Sequence, residues 1–291
     1  MLAIVSAARA QEIELRSYSN APVGVNFAIA GIADARGALE FDSATRLTNA
    51  RLDTSSLIVA YARTLDLWGK SGKFDVILPY AAVSGSAQFA GQPVQRDVDG
   101  LVDPRFRLSI NFIGAPALGL KEFRDYRQDL IVGASLQVSA PLGQYDPARL
   151  LNIGTNRWSF KPELGVSKAL GSWTLEGKLA GLFFTDNKDF FGGHRRAQDP
   201  VYSLQGNAIY SFPSGIWASM DVTYYTGGRT TIDGDRGDDL QQNWRVGGTL
   251  AIPINARNSI KLSASSGVSA RTGNNFDLVG IAWQYRWGAG L

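Results

Sequence analysis

Alternation of apolar and polar residues with a period of two dominates the chain. It recurs in about a dozen segments, each near the ~9–11 residues with which a tilted strand crosses a bilayer. In 157–168 the even positions are Trp158, Phe160, Pro162, Leu164 and Val166, while the odd ones are Arg157, Ser159, Lys161, Glu163, Gly165 and Ser167. Leu130, Val132, Ala134, Leu136 and Val138 alternate with Asp129, Gly133, Ser135, Gln137 and Ser139, and Val279, Ile281, Trp283, Tyr285 and Trp287 with Gly280, Ala282, Gln284 and Arg286. A soluble strand alternates too, with its polar face in water. In a membrane barrel the apolar face meets lipid and the polar face lines the lumen. The pattern predicts twelve strands, near 23–32, 54–66, 73–84, 103–114, 128–140, 156–168, 173–184, 201–212, 216–226, 241–253, 259–269 and 276–287.

The connections decide between these readings. Short links at 69–72, 169–171, 213–215 and 254–258, with a medium one at 115–127, alternate with longer polar links at 33–53, 85–102, 141–155, 185–200 and 227–240, closed by 270–275. Short periplasmic turns and longer external loops are the signature of outer-membrane barrels. Aromatic residues gather at predicted strand ends, as interfacial girdles require: Trp68, Phe112, Trp173, Phe212 and Trp287 on the periplasmic rim, Tyr80, Trp158, Phe183, Tyr202, Tyr224 and Trp244 on the outer one. A soluble sandwich rarely needs so many uniform strands of about 11 residues. The fold class is therefore all-β: a transmembrane antiparallel up-and-down barrel of about twelve strands. Arg63 breaks the lipid-facing parity of Leu57, Val59 and Tyr61, which asks for a place near the membrane edge or a bulge.

Composition narrows the chemistry. The 291 residues contain no Cys and one His, His194, which removes disulfides, thiolate metal sites, Cys nucleophiles and any His-rich metal centre. A net charge of +3 is too small to argue for nucleic acid. The apolar start 2–8, followed by Ala8-Arg9-Ala10, reads as the remnant of a signal peptide (1–10) cleaved after Ala10, or else as a buried strand or helix. That leaves 11–22 as an N-terminal periplasmic segment, too short for a folded plug though long enough to enter the lumen, and 23–291 as the barrel.

Parity assigns Arg105, Arg107, Asp129, Lys161, Glu163, Glu176, Lys178, Asp221, Arg245, Lys261 and Arg286 to the lumen as pore-lining residues, with Asp75. Across the turn at Leu170-Gly171 the simplest register places Glu163 opposite Lys178 and Gly165 opposite Glu176. Across 213–215 it places Asn207 opposite Asp221 and Gln205 opposite Thr223. Such charges either set the field felt by a solute or only brace the wall; their basic excess suggests anionic solutes. Loops 85–102 and 33–53 are the expected constrictions. Asp233-Gly-Asp235-Arg-Gly-Asp238-Asp239 could hold calcium through oxygen ligands but lacks a closing Glu and reads as a solvated turn. A lipid hydrolase would need a Ser–His pair, and His194 has no Ser close by in sequence and no G-x-S-x-G elbow. No catalytic, cofactor-binding or metal residue is assigned.

Several stretches together resemble a known family: Asp99-Gly-Leu-Val-Asp-Pro104, Ala140-Pro-Leu-Gly-Gln-Tyr145, Asn152-Ile-Gly-Thr-Asn-Arg-Trp158 with Lys161-Pro162, Tyr224-Tyr-Thr-Gly-Gly228 and Gly280-Ile-Ala-Trp-Gln-Tyr-Arg-Trp287. Over roughly 23–287 the chain is similar to the transporter-like outer-membrane barrels named for the meta-cleavage pathway of phenol degradation, although Val102 stands where members usually carry Gly. The resemblance implies uptake of small, often aromatic, compounds and transfers no catalytic residue. The reading is a passive outer-membrane channel whose partners are membrane lipids, small solutes and, during insertion, the barrel-assembly machinery. A structural or surface-interaction barrel without an open pore is the alternative.

Overall fold

The computed structural model describes residues 16–40, 47–89 and 92–290. The expected leader, 1–10, lies outside them. In chain order the strands are β1 (Val25–Glu40), β2 (Leu47–Leu67), β3 (Lys70–Phe89), β4 (Gln92–Leu101), β5 (Arg105–Ile113), β6 (Leu130–Ser139), β7 (Ser159–Leu170), β8 (Trp173–Phe184) and β9 (Asn187–Phe190). They continue with β10 (His194–Gln198), β11 (Val201–Ser211), β12 (Trp217–Gly227), β13 (Thr230–Ile232), β14 (Asp235–Arg236), β15 (Gln241–Pro253), β16 (Asn258–Ala270) and β17 (Gly273–Gly288). One antiparallel sheet runs β2-β1-β17-β16-β15-β12-β11-β8-β7-β6-β5-β3 and closes through β2–β3 pairing. β4 shares the edge of β3 end to end with β5, so the circumference holds twelve strands. Closure satisfies the backbone donors and acceptors of the wall without water, the condition for crossing hydrocarbon.

Sidedness is inverted relative to a soluble protein. Leu164 is 57% exposed while its neighbour Glu163 is 7% exposed. Leu136, Leu179, Leu204, Val246 and Ile281 face out, and Gln137, Lys178, Gln205, Arg245 and Asn207 are buried inside. Aromatic contacts band the rims, with Trp173–Tyr210 at 5.0 Å and Tyr210–Phe212 at 4.8 Å at the short-turn end, and Tyr224–Trp244 at 4.8 Å at the loop end. Arg63 is exposed on the outer face near the short-turn end, opposite Asn26 and Phe74, with no bulge beside it.

Three sequence expectations need correction. The β7–β8 turn is Gly171-Ser172, with Gly171 left-handed at φ 61°, so Leu170 pairs with Trp173. This moves the register by two residues: Glu163 faces Ala180, Gly165 faces Lys178 and Ser167 faces Glu176. The even shift keeps every lumen residue inside. The β11–β12 register is as expected, with Asn207 opposite Asp221 and Gln205 opposite Thr223.

Within links 33–53 and 85–102, residues 41–46 and 90–91 fall outside the described residues; the described parts are not inward loops. Their flanks continue the wall as tall hairpins, Arg36 pairing with Asp53 and Ser84 with Asp97. Beyond Ile32 the outward positions turn polar (Asp34, Arg36, Asp53, Ser55), so the apolar signal ends while the strand goes on. The C-terminal part of 141–155 folds inward instead. Leu151 and fully buried Ile153 pack against inward-facing Leu52, Ala81, Val83 and Val98. Buried Asp103 pins the loop, accepting from the amides of Gly143 (2.8 Å) and Thr155 (3.0 Å) and from Thr155 Oγ1 (2.6 Å).

The lipid belt is testable. Leu164→Arg, at the middle of β7, is expected to cost about 2–4 kcal/mol of unfolding free energy in urea titrations of liposome-inserted protein. Arg63→Leu, at the rim, is expected to change it by less than about 1 kcal/mol.

Candidate functional site

The lumen has two unlike halves. Alternation turns the charged residues of β3, β5, β7 and β8 inward, where they engage one another. Arg107 Nε donates to Asp75 Oδ2 at 2.8 Å across β3–β5, and Lys161 Nζ lies 3.6 Å from Glu163 Oε2. Of the predicted lining residues, Arg105, Lys161, Glu163, Glu176, Lys178, Asp221 and Arg245 are buried inside the barrel, and Arg107 and half-buried Lys261 point the same way, Lys261 Nζ 5.8 Å from the Trp217 ring. Two stand exposed at the short-turn rim, Arg286 with the inward parity of its partner Phe27. Asp129 precedes the first residue of β6, is exposed and pairs with outward Lys168 at the rim; Arg286 donates to the Ala256 carbonyl in the β15–β16 turn at 2.6 Å.

The opposite half is apolar. Phe27 and Ile29 of β1, Ile58 and Ala60 of β2, Ile77 of β3 and Leu278 of β17 share the inward parity, each partly accessible from within. Sequence reasoning followed charge and missed this face. Its signal was available: both parities of 27–33 are apolar or Gly, so the strand has no polar side to turn inward.

The part of the N-terminal segment that is described does not hang outside the barrel but enters it. Tyr18, 1% exposed, donates from its hydroxyl to Glu163 Oε1 at 2.9 Å, and its carbonyl accepts from Asn111 Nδ2 at 3.0 Å. Lys178 Nζ reaches Ser17 Oγ (2.6 Å) and Lys73 Nζ the Ser17 carbonyl (3.1 Å). The amide of Arg16 donates to Glu176 Oε2 (3.1 Å), and its guanidinium donates to Ser211 Oγ (2.9 Å) and lies 4.9 Å from the Trp217 ring. Space for Tyr18 exists because two wall residues lack side chains: a Cβ on Gly165 would stand 2.0 Å from Tyr18 Cε2, and one on Gly133 2.5 Å from Cδ1. Residues 16–18 thus engage Glu163, Glu176 and Lys178 on the charged half.

Over the mouth, β9, β10, β13 and β14 form a second small sheet. Its loops contain the acidic run 233–239, in which the carboxylates of Asp233, Asp238 and Asp239 accept from the protein itself. Asp233 accepts from the Arg195 amide (2.8 Å) and lies 2.5 Å from His194 Nδ1, Asp239 accepts from Thr230, and Asp238 from Arg271. The Arg195 amide and the His194 ring hold the Asp233 carboxyl below its ordinary range, while burial pulls Arg196 down to about 10. Among the described residues the hydrogen-bonding partner of His194 is Asp233, not a serine.

This architecture matches known proteins. A family model described as the MetA-pathway of phenol degradation matches residues 37–285. The chain belongs to that family. No curated protein matches it. Among solved structures, this family member shares its fold with an outer membrane channel from Pseudomonas putida F1 (TM-score 0.82, 20% identity, covering 95% of this chain and 100% of that one). The transport unit of the autotransporter AIDA-I from Escherichia coli gives a TM-score of 0.58 at 10% identity, covering 97% and 95%. The β domain of the Bordetella autotransporter BrkA gives 0.52 at 9%, covering 91% and 100%. With its closed wall and apolar belt, the family member is an outer-membrane β-barrel.

Two outcomes follow. Because the chain has no native Cys, Ser17→Cys gives a single label. It is expected to react slowly with an impermeant maleimide, and at least about tenfold faster once Gly165→Ala displaces Tyr18, since the added Cβ cannot coexist with the ring. At the mouth, the depressed carboxyl of Asp233 contributes stability above its ordinary value of 3.8 and loses it as pH falls through the lower folded value. The protection factor of the Arg195 amide (exchange relative to its intrinsic rate at the same pH) is expected to fall on that acidification, and at pH 7 in Asp233→Asn.

Proposed function

We propose that this protein is a passive channel for small molecules, and that small aromatic compounds bearing one polar group are among its solutes. The observation that carries this reading is the two-sided lumen. An apolar strip on β17, β1, β2 and β3 stands across from a polar ladder, so a ring can slide along one face while its polar group keeps hydrogen-bonding partners on the other. Residues 16–18 and the inward part of 141–155 set the bore, the first through the charged wall and the second through the apolar contacts of Ile153. Flow is passive: selectivity comes from side chains along the path, with no step that consumes energy.

A structural barrel without an open pore draws support from the same two segments, which occupy the lumen from both ends. Liposome swelling separates the two. The channel reading expects faster swelling with phenolic and small neutral solutes than with charged solutes of equal size; no flux of any solute would leave the structural reading. Tyr18→Ala, which removes the anchor on Glu163, is expected to raise single-channel conductance about twofold, with the heat-modifiable gel shift of a folded barrel retained.

A further inference from the structure

The basic side chains of the lumen are already engaged. Lys178 and Lys73 hold Ser17, Arg107 holds Asp75, and the Arg245 guanidinium donates to the Phe276 carbonyl (3.0 Å) and Ser265 Oγ (2.7 Å). One acid differs. Asp221, at the centre of β12, is 6% exposed, and neither of its carboxylate oxygens accepts a hydrogen bond from any described residue. Two residues away on either side, along the same inward face, Ser219 Oγ and Thr223 Oγ1 are buried and equally without partners. The neighbours turn elsewhere. Asn207, directly across on β11, donates to Glu176 Oε2 (3.2 Å) and accepts from Gln205, while Gly247, across on β15, brings no side chain. A buried carboxylate left without donors is costly unless something supplies positive charge or hydrogen bonds to it.

We propose that Asp221 is a cation station in the lumen, taking a monovalent cation in transit (an alkali ion, or the ammonium head of a small amine), with the Ser219 and Thr223 hydroxyls as the neighbouring oxygen stops on either side along the same face rather than as joint ligands. The ligand set is all oxygen and carries one negative charge, which suits a hard monovalent cation better than a divalent one that gathers several carboxylates. Arg245, opposite Thr223, and Lys178, opposite Gln205, are fixed positive charges close by. They weaken the hold, and a site that conducts must release what it binds. The station favours cations, against the anion preference that the basic excess suggests. Its role in transit rests on the channel reading; occupation of the site does not.

Two measurements on the purified full-length protein test it. In planar bilayers under a KCl gradient, the wild type is expected to favour K⁺, and Asp221→Asn to lower the K⁺/Cl⁻ permeability ratio about fivefold. Ser219→Ala with Thr223→Ala is expected to lower it less, since the charge stays. Thallium NMR on the micellar protein reads occupation directly: titratable Tl⁺ binding that Asp221→Asn abolishes supports the station, and displacement by methylammonium extends it to amines. An unchanged permeability ratio in a folded Asp221→Asn barrel, or no Tl⁺ binding to the wild type, overturns the proposal. Bound Tl⁺ without any current supports the station and overturns the channel reading alone.

Discussion

Everything in this molecule follows from one constraint: a backbone in hydrocarbon must find its hydrogen-bonding partners within itself. A sheet meets it only by having no edge, and pairing β2 to β3 while β1 pairs to β17 removes both edges. Closure then dictates sidedness. Each strand offers alternate residues to lipid and to an enclosed space, so Leu164 must look out and Glu163 must look in. The hydrophobic effect that usually fills a protein's centre here clads its outside.

What fills the centre is consequently polar chemistry and a piece of the chain itself. Opposed charges such as Asp75 and Arg107 neutralise one another across strands, and the surplus acceptors and donors of β7 and β8 are met by residues 16–18. Tyr18 fits there on both counts, its apolar ring lying over Gly133 and Gly165 while its hydroxyl reaches Glu163. The apolar strip on β1–β3 and β17 needs no such partner. Division of the interior is thus a result of which strands received charges, and the solute path follows the division.

Much of this was legible in the residue pattern, and the failures have physical causes. Alternation in 157–168 gave both faces of β7 because each side is chemically pure. The β7–β8 register slipped by two because nothing in a run of Ala169, Leu170, Gly171 and Ser172 marks which pair makes the turn, whereas Pro213 and Gly215 mark the next one. The tall hairpins were read as loops because, past the membrane, Asp34, Arg36 and Asp53 no longer need to be apolar. Asp129 kept the parity but lay one residue beyond the strand that enforces it. Tyr18 left no periodic trace: its place is set by glycines more than a hundred residues away. Asp221 was assigned to the lumen correctly, but that it stands without donors depends on where Asn207 and Arg245 turn, which only packing decides.

The seam where the wall meets itself has a consequence for biogenesis. All sixteen residues of β1 pair with β17, the final strand of the ring, and only a few residues separate β1 from Ser17 and Tyr18. The stopper is therefore tethered to the staple that closes the ring. Because the tether is so short, the occupant's place is fixed wherever the first strand meets the last, and filling the lumen needs no long reach of chain through a finished tube.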